Sequence, residues 1–119
     1  MIFHITSRAA WIEAQAKGSY TAPSLATEGF IHCSTLFQVL PVANTFYKGQ
    51  SELILLEIEP TLLSSTLKWE PPSGGTPLPG VAEGEMFPHI FGALNLNAVI
   101  KIVDLESTDG MFTLPMNLE

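Results

Sequence analysis

The spacing of apolar and polar positions divides the chain into short elements. Ile2, His4 and Thr6 alternate with Phe3 and Ile5, so residues 1–6 are predicted as a first strand. Ser7 can cap a helix running to about Lys17, with Gly18 as its stop. Trp11, Ile12 and the alanines give that helix an apolar side. Residues 19–27 contain Pro23 and read as a loop. Residues 28–35 read as a short strand, entered through Gly29 and left through a helix cap. On it Phe30, His32 and Ser34 face one way, and Ile31 and Cys33 face the core.

Thr35 and Gln38 fit a capping box at the start of a second helix. Leu36, Val39, Leu40, Ala43, Phe46 and Tyr47 fall on one helical stripe behind it. Pro41 is predicted to kink this helix or delay its start, and Gly49 to end it. Residues 53–58 are almost continuously apolar, the mark of a central strand covered on both faces, and Pro60 stops them. Residues 67–70 alternate as another short strand. Residues 71–84 form a turn-rich loop, of the length usual for lids or disordered segments. Strands follow around residues 99–105 and 111–114, the second after an Asp109-Gly110 turn. With no repeat and no linker, the pattern predicts one compact α+β domain over residues 1–119. It has two main helices and about five or six strands in a mixed sheet.

Composition narrows the function classes. Of 119 residues, 46% are hydrophobic and only 14% charged, which excludes a disordered chain and implies a tight fold, an apolar surface or a partner. Five basic residues against twelve acidic ones give a net charge of −7, so nucleic-acid binding through a basic patch is excluded. A localised pocket for one phosphate is not. One cysteine leaves no intrachain disulfide and no cysteine-based zinc knuckle. No membrane-length run and no leader pattern is seen, so the expected location is cytoplasmic. Leu118-Glu119 reads as an expression-tag remnant and is given no weight.

The candidate chemistry sits on three histidines, His4, His32 and His89. His4 and His32 stand on predicted strands in matching His-x-Thr and His-x-Ser settings. Any single histidine is most simply a core group held by a backbone carbonyl; the matched pair favours a site. Imidazoles can hold a ribose hydroxyl or a phosphate, or move a proton near neutral pH. No histidine pair has a metal-ligand spacing, so no metal is expected. Cys33 beside His32 suggests a nucleophile, but neighbours on a strand face opposite ways, so a buried thiol is expected. Ser34 lacks a nucleophile-elbow context and reads as a hydrogen-bonding group. Glu70 and Glu85 are candidate carboxylates, and Trp69 and Tyr20 candidate ring platforms, each weighed against a surface or core role. Gly74 and Gly75 lack the context of a phosphate cradle.

His4-Ile5-Thr6 with Trp11, then Tyr20, Ser24-Leu25, the run from Glu28 to Ser34, and the run from Phe87 to Leu94 resemble the bacterial family known as domain of unknown function 952. That resemblance implies a fold similar to the ADP-ribosyltransferases and no established activity. A more distant similarity is to the RNA 2′-phosphotransferases, which use NAD. Their two histidine-bearing strands are matched in order by Phe3-His4-Ile5-Thr6 and Phe30-Ile31-His32-Cys33-Ser34. Ile5 stands where those enzymes have a glycine, and their arginines for the RNA phosphate have no counterpart.

The resemblance therefore implies an NAD- or nucleotide-binding domain, in the form of a transferase acting on the nicotinamide ribosyl bond. His32, His89 and Glu70 would stand nearest the chemistry. His4, Thr6, Tyr20, Ser24 and Ser34 would hold the cofactor, with NAD as the cofactor expected. The alternatives are a non-catalytic module for a small ligand and an interaction domain with structural histidines.

Overall fold

The computed structural model describes residues 1–72, 78–115 and 118. Its centre is a three-stranded antiparallel sheet. Strand β1 (Ile2–Ser7) pairs with β4 (Leu53–Ile58), which pairs on its other edge with β8 (Val99–Leu105). Every residue of β4 is buried, Glu57 included, as its almost continuously apolar run predicts. The alternation of β1 and β4 feeds two separate cores. Ile2, Ile54, Leu56 and Ile58 point into one, with Trp11, Tyr20, Ile31 and Ile90. Phe3, Ile5, Leu53 and Leu55 point into the other, with Val39 and Ala43. Leu118, set aside in the sequence reading, packs partly buried against this second core.

Helix α1 (Arg8–Lys17) covers the first core. Ser7 Oγ accepts from Ala10 N–H at its start, and Gly18 ends it at a φ of 91°. Residues 19–27 are not a plain loop. They hold β2 (Ser19–Tyr20) and helix α2 (Pro23–Thr27), with proline in the first turn where no N–H is needed. Gly29, at a φ of 90°, then turns the chain into β3 (Ile31–His32). The regular strand is shorter than residues 28–35, but Ser34 adds a bridge to Phe3.

The second helix begins late, as Pro41 predicts. A 3₁₀ turn, Leu36–Gln38, precedes α3 (Val39–Phe46), so Pro41 falls in the first α-helical turn and costs no hydrogen bond there. Gln38 Oε1 accepts from Thr35 N–H at 3.0 Å and the Thr35 side chain accepts from Gln38 N–H, the predicted capping box.

A second sheet runs β3–β6–β5, formed by β3, β5 (Thr66–Glu70) and β6 (Phe87–Phe91). β2 pairs with β7 (Leu94–Asn95), and β9 (Ser107–Thr108) pairs with β10 (Met111–Phe112) through the Asp109-Gly110 turn. The expectation of one mixed sheet is corrected: among the described residues four small sheets form, and every pairing of named strands is antiparallel. The α+β class stands. Residues 73–77, which include Gly74 and Gly75, and Glu119 lie outside the described residues. No helix among the described residues is long and apolar enough to cross a membrane.

Gly92, which follows β6, has a φ of 155°, and a Cβ there would lie 2.5 Å from Ser65 Oγ. That hydroxyl is already committed to Ala93 O at 2.7 Å. Gly92→Ala is expected to destabilise the domain by about 2 kcal/mol, read as a fall in Tm of roughly 8 °C by calorimetry.

Candidate functional site

β3 and β6 bring two of the three histidines together, because His32 and His89 are cross-strand partners. Cys33 N–H donates to Pro88 O at 3.0 Å. By the alternation of an antiparallel ladder, the neighbouring 32/89 pair is then the closer, non-hydrogen-bonded kind. The two imidazole rings accordingly stand 5.5 Å apart, edge to face. Phe30 stacks on His89 at 4.1 Å and meets His32 edge-on at 4.8 Å.

Each imidazole is tied to its own carboxylate. His32 Nε2–H donates to Glu28 Oε2 at 2.9 Å, and His89 Nδ1–H donates to Glu70 Oε1 at 2.8 Å. A proton held there leaves the other nitrogen of a neutral ring as an acceptor. The two rings therefore offer opposite nitrogens, Nδ1 of His32 and Nε2 of His89. The His89 side chain is nearly fully buried, whereas that of His32 is 41% exposed.

Both histidines line a cavity of about 620 Å³. Phe3, Ile5, Val42, Phe46 and Phe87 make much of its wall apolar, while Glu28, His32, Ser34 and His89 supply polar groups. None of its described lining residues is Lys or Arg. Ser34 is buried there, its backbone bonded to Phe3. Cys33 also borders the cavity, but its thiol is buried in the first core, and burial pushes its pKa well up. Among the described residues no three His, Cys, Asp or Glu side chains are grouped to hold a metal ion.

The third histidine lies behind this wall. His4 shares the β1 face of Ile2 and Thr6 and does not line the cavity. Its Nδ1 is 2.5 Å from His32 O, and its Nε2 is 2.7 Å from the Tyr20 hydroxyl, which is 2.9 Å from Thr6 Oγ1. A carbonyl can only accept, so His4 carries its proton on Nδ1. Nε2 then accepts from Tyr20, which is left to accept from Thr6. Burial pushes His4 down from its ordinary 6.5 to about 4, and Tyr20 up to about 12.

The expected cofactor contacts His4, Thr6 and Tyr20 are buried, their polar atoms bonded to one another and to His32 O. Ser24 is placed elsewhere too, donating to Phe30 O at 2.7 Å across the turn before β3. Glu85 is a loop anchor. It accepts from Gln38 Nε2 and Ala82 N–H, which hold its carboxyl below the usual range. Trp69 is half exposed on β5 and absent from the cavity lining.

Two contributors were not selected from sequence. Glu28 reaches His32 because Gly29 reverses the chain between them, a contact that strand spacing does not reveal. Phe30 was legible on the same face as His32, but its stacking on His89 needed the sheet pairing.

A family model described as "Protein of unknown function (DUF952)" matches residues 5–102. Among solved structures, the crystal structure of protein CC0527 from Caulobacter crescentus is similar at 33% sequence identity. The match covers 94% of this chain and 92% of that one, with a TM-score of 0.78. The solution NMR structure of CC0527 is similar at 34% identity over 92% and 89% of the two chains, with a TM-score of 0.74. No curated protein matches this chain.

His4 generates a pH prediction. Its folded pKa lies below its unfolded one, so between them the unfolded chain binds more protons. Its contribution is whole above pH 6.5 and is lost as pH falls from there through about 4. Denaturant titrations across that window are expected to show a loss of about 3 kcal/mol that His4→Asn abolishes. Cys33, buried and protonated, is expected to resist alkylation by iodoacetamide in the native protein and to react within minutes in denaturant, as mass spectrometry would show.

Proposed function

The chain belongs to the family of proteins of unknown function DUF952, and we propose that its cavity binds a ring-bearing, hydroxyl-rich small molecule. The observation that carries this reading is the pair of histidines, each tied to a carboxylate, on the wall of a largely apolar cavity. Apolar walls suit the faces of a heterocycle, and imidazoles oriented by carboxylates suit sugar hydroxyls. The nicotinamide ribosyl half of NAD combines both. The cavity offers no described Lys or Arg to a pyrophosphate, so we place the riboside inside and any phosphates toward solvent.

A kinship with the ADP-ribosyltransferase fold is part of the same reading. Its support is the order of two histidine-bearing strands, one before each main helix. In that likeness His4 would hold the ribose. With the His4 ring turned into the core, we assign the sugar to His32 and His89 instead.

In its transferase form the reaction breaks the bond between ribose C1′ and the ring nitrogen. Neutral nicotinamide leaves with the bonding pair, and the positive charge that develops on the sugar is stabilised by Glu28 and Glu70. An incoming hydroxyl bonds to C1′ and gives its proton to the imidazole nitrogen not bound to a carboxylate. The second reading is the same pocket without turnover, favoured by the inert Cys33 thiol and the apolar character of the wall.

Calorimetry with nicotinamide riboside, NAD and ADP-ribose tests the binding. Heat is expected with nicotinamide riboside and NAD, and His32→Ala is expected to weaken both about tenfold or more with Tm nearly unchanged. No heat with any of the three would sink the nucleotide reading. Release of free nicotinamide from NAD, followed by chromatography, separates transferase from binding module.

A further inference from the structure

The segment that carries His32 lies between two neighbours. Toward β6, Cys33 N–H donates to Pro88 O. Toward β1, Phe3 and Ser34 exchange two backbone hydrogen bonds of 2.8 Å each. Between them, the His32 carbonyl turns away from β6, as the carbonyl of a non-hydrogen-bonded pair must. No backbone N–H of β1 meets it. The donor is the His4 side chain, through Nδ1.

We propose that His4 is a positioning residue for His32. Its imidazole stands in for a missing ladder N–H and fixes the peptide from which the His32 ring projects into the cavity. This rests on the reading of that cavity as the binding site. His4 cannot be a ligand contact from its place in the core. Its orientation is set from behind, since Tyr20, itself bonded to Thr6, holds Nε2 and leaves only Nδ1 for the carbonyl. Without that donor the part-buried carbonyl would lack its partner in the protein, and the peptide would rotate toward another one. The His32 ring would move with it, away from Glu28 and from its place against His89.

Side-chain geometry supplies the test. An asparagine amide nitrogen lies near the position of His Nδ1, and a glutamine amide nitrogen near that of Nε2. His4→Asn can therefore keep the bond to His32 O, whereas His4→Gln keeps only the side facing Tyr20. The readouts are the His32 imidazole signals in NMR spectra and the affinity for nicotinamide riboside. In His4→Gln the His32 signals are expected to shift and the affinity to fall about tenfold, with the signals of Met111 and Phe112 unchanged. His4→Asn is expected to restore both.

Unchanged His32 signals in the glutamine variant, or equal disturbance in both variants, would overturn the proposal. If nicotinamide riboside does not bind the native protein, the site reading fails and the His32 signals alone decide the role of His4. If neither variant folds, nitrogen shifts of the native protein decide. A His4 protonated on Nε2 instead of Nδ1 rules the proposal out; the Nδ1 tautomer sustains it.

Discussion

A strand buried on both faces has no water to satisfy the polar groups it carries, and β1 is such a strand. Its inward polar side chains, His4 and Thr6, must find partners within the protein. They find Tyr20 on β2 and the His32 peptide on β3, so the requirement for satisfaction links three strands that share no single sheet. Phe3 and Ile5, on the opposite face of β1, line the cavity. One strand thus forms part of the cavity wall and braces that wall from the core side. The wall inherits its rigidity from a buried polar chain rather than from a long ladder.

The parts of this arrangement legible in sequence were those with a local cause. β4 announced itself as an almost continuously apolar run, α1 through Ser7 and Gly18, and the delay of α3 through Pro41. The alternation over residues 28–34 sorted Cys33 to the core and His32 to the opposite face. What sequence could not show was non-local. β2 and β7 are two-residue strands, too short for any period to register, and they exist because each supplies the other's hydrogen bonds. His4 shows the limit most clearly. Its alternation was read correctly, but a face is only a direction, and whether it leads to a cavity or a core depends on what packs there.

The same distinction separates the two histidine environments. His4 has both ring nitrogens engaged by uncharged groups in the core, and burial favours its neutral form. His32 and His89 each have one nitrogen on a carboxylate and border a cavity. A carboxylate partner fixes which nitrogen of each ring carries the proton and leaves the other as an acceptor. Three residues of one type thus divide into one engaged at both nitrogens inside the core and two that border the cavity.

Pro88 gives this corner of the protein a further property. It lies in β6, the middle strand of its sheet, where a proline is normally excluded because its neighbour loses a donor. Here the residue opposite is Cys33, just beyond the last regular residue of β3, where the ladder is already ending. Slide β3 by two residues, so that Ile31 stands opposite, and the carbonyl of a fully buried residue loses its partner, at a cost of about 1–3 kcal/mol. Slide it by one, and His32 turns into the core while Cys33 turns out. The missing proton on one nitrogen therefore selects among alternative strand pairings, and the selected pairing is the one that sets the two imidazoles side by side.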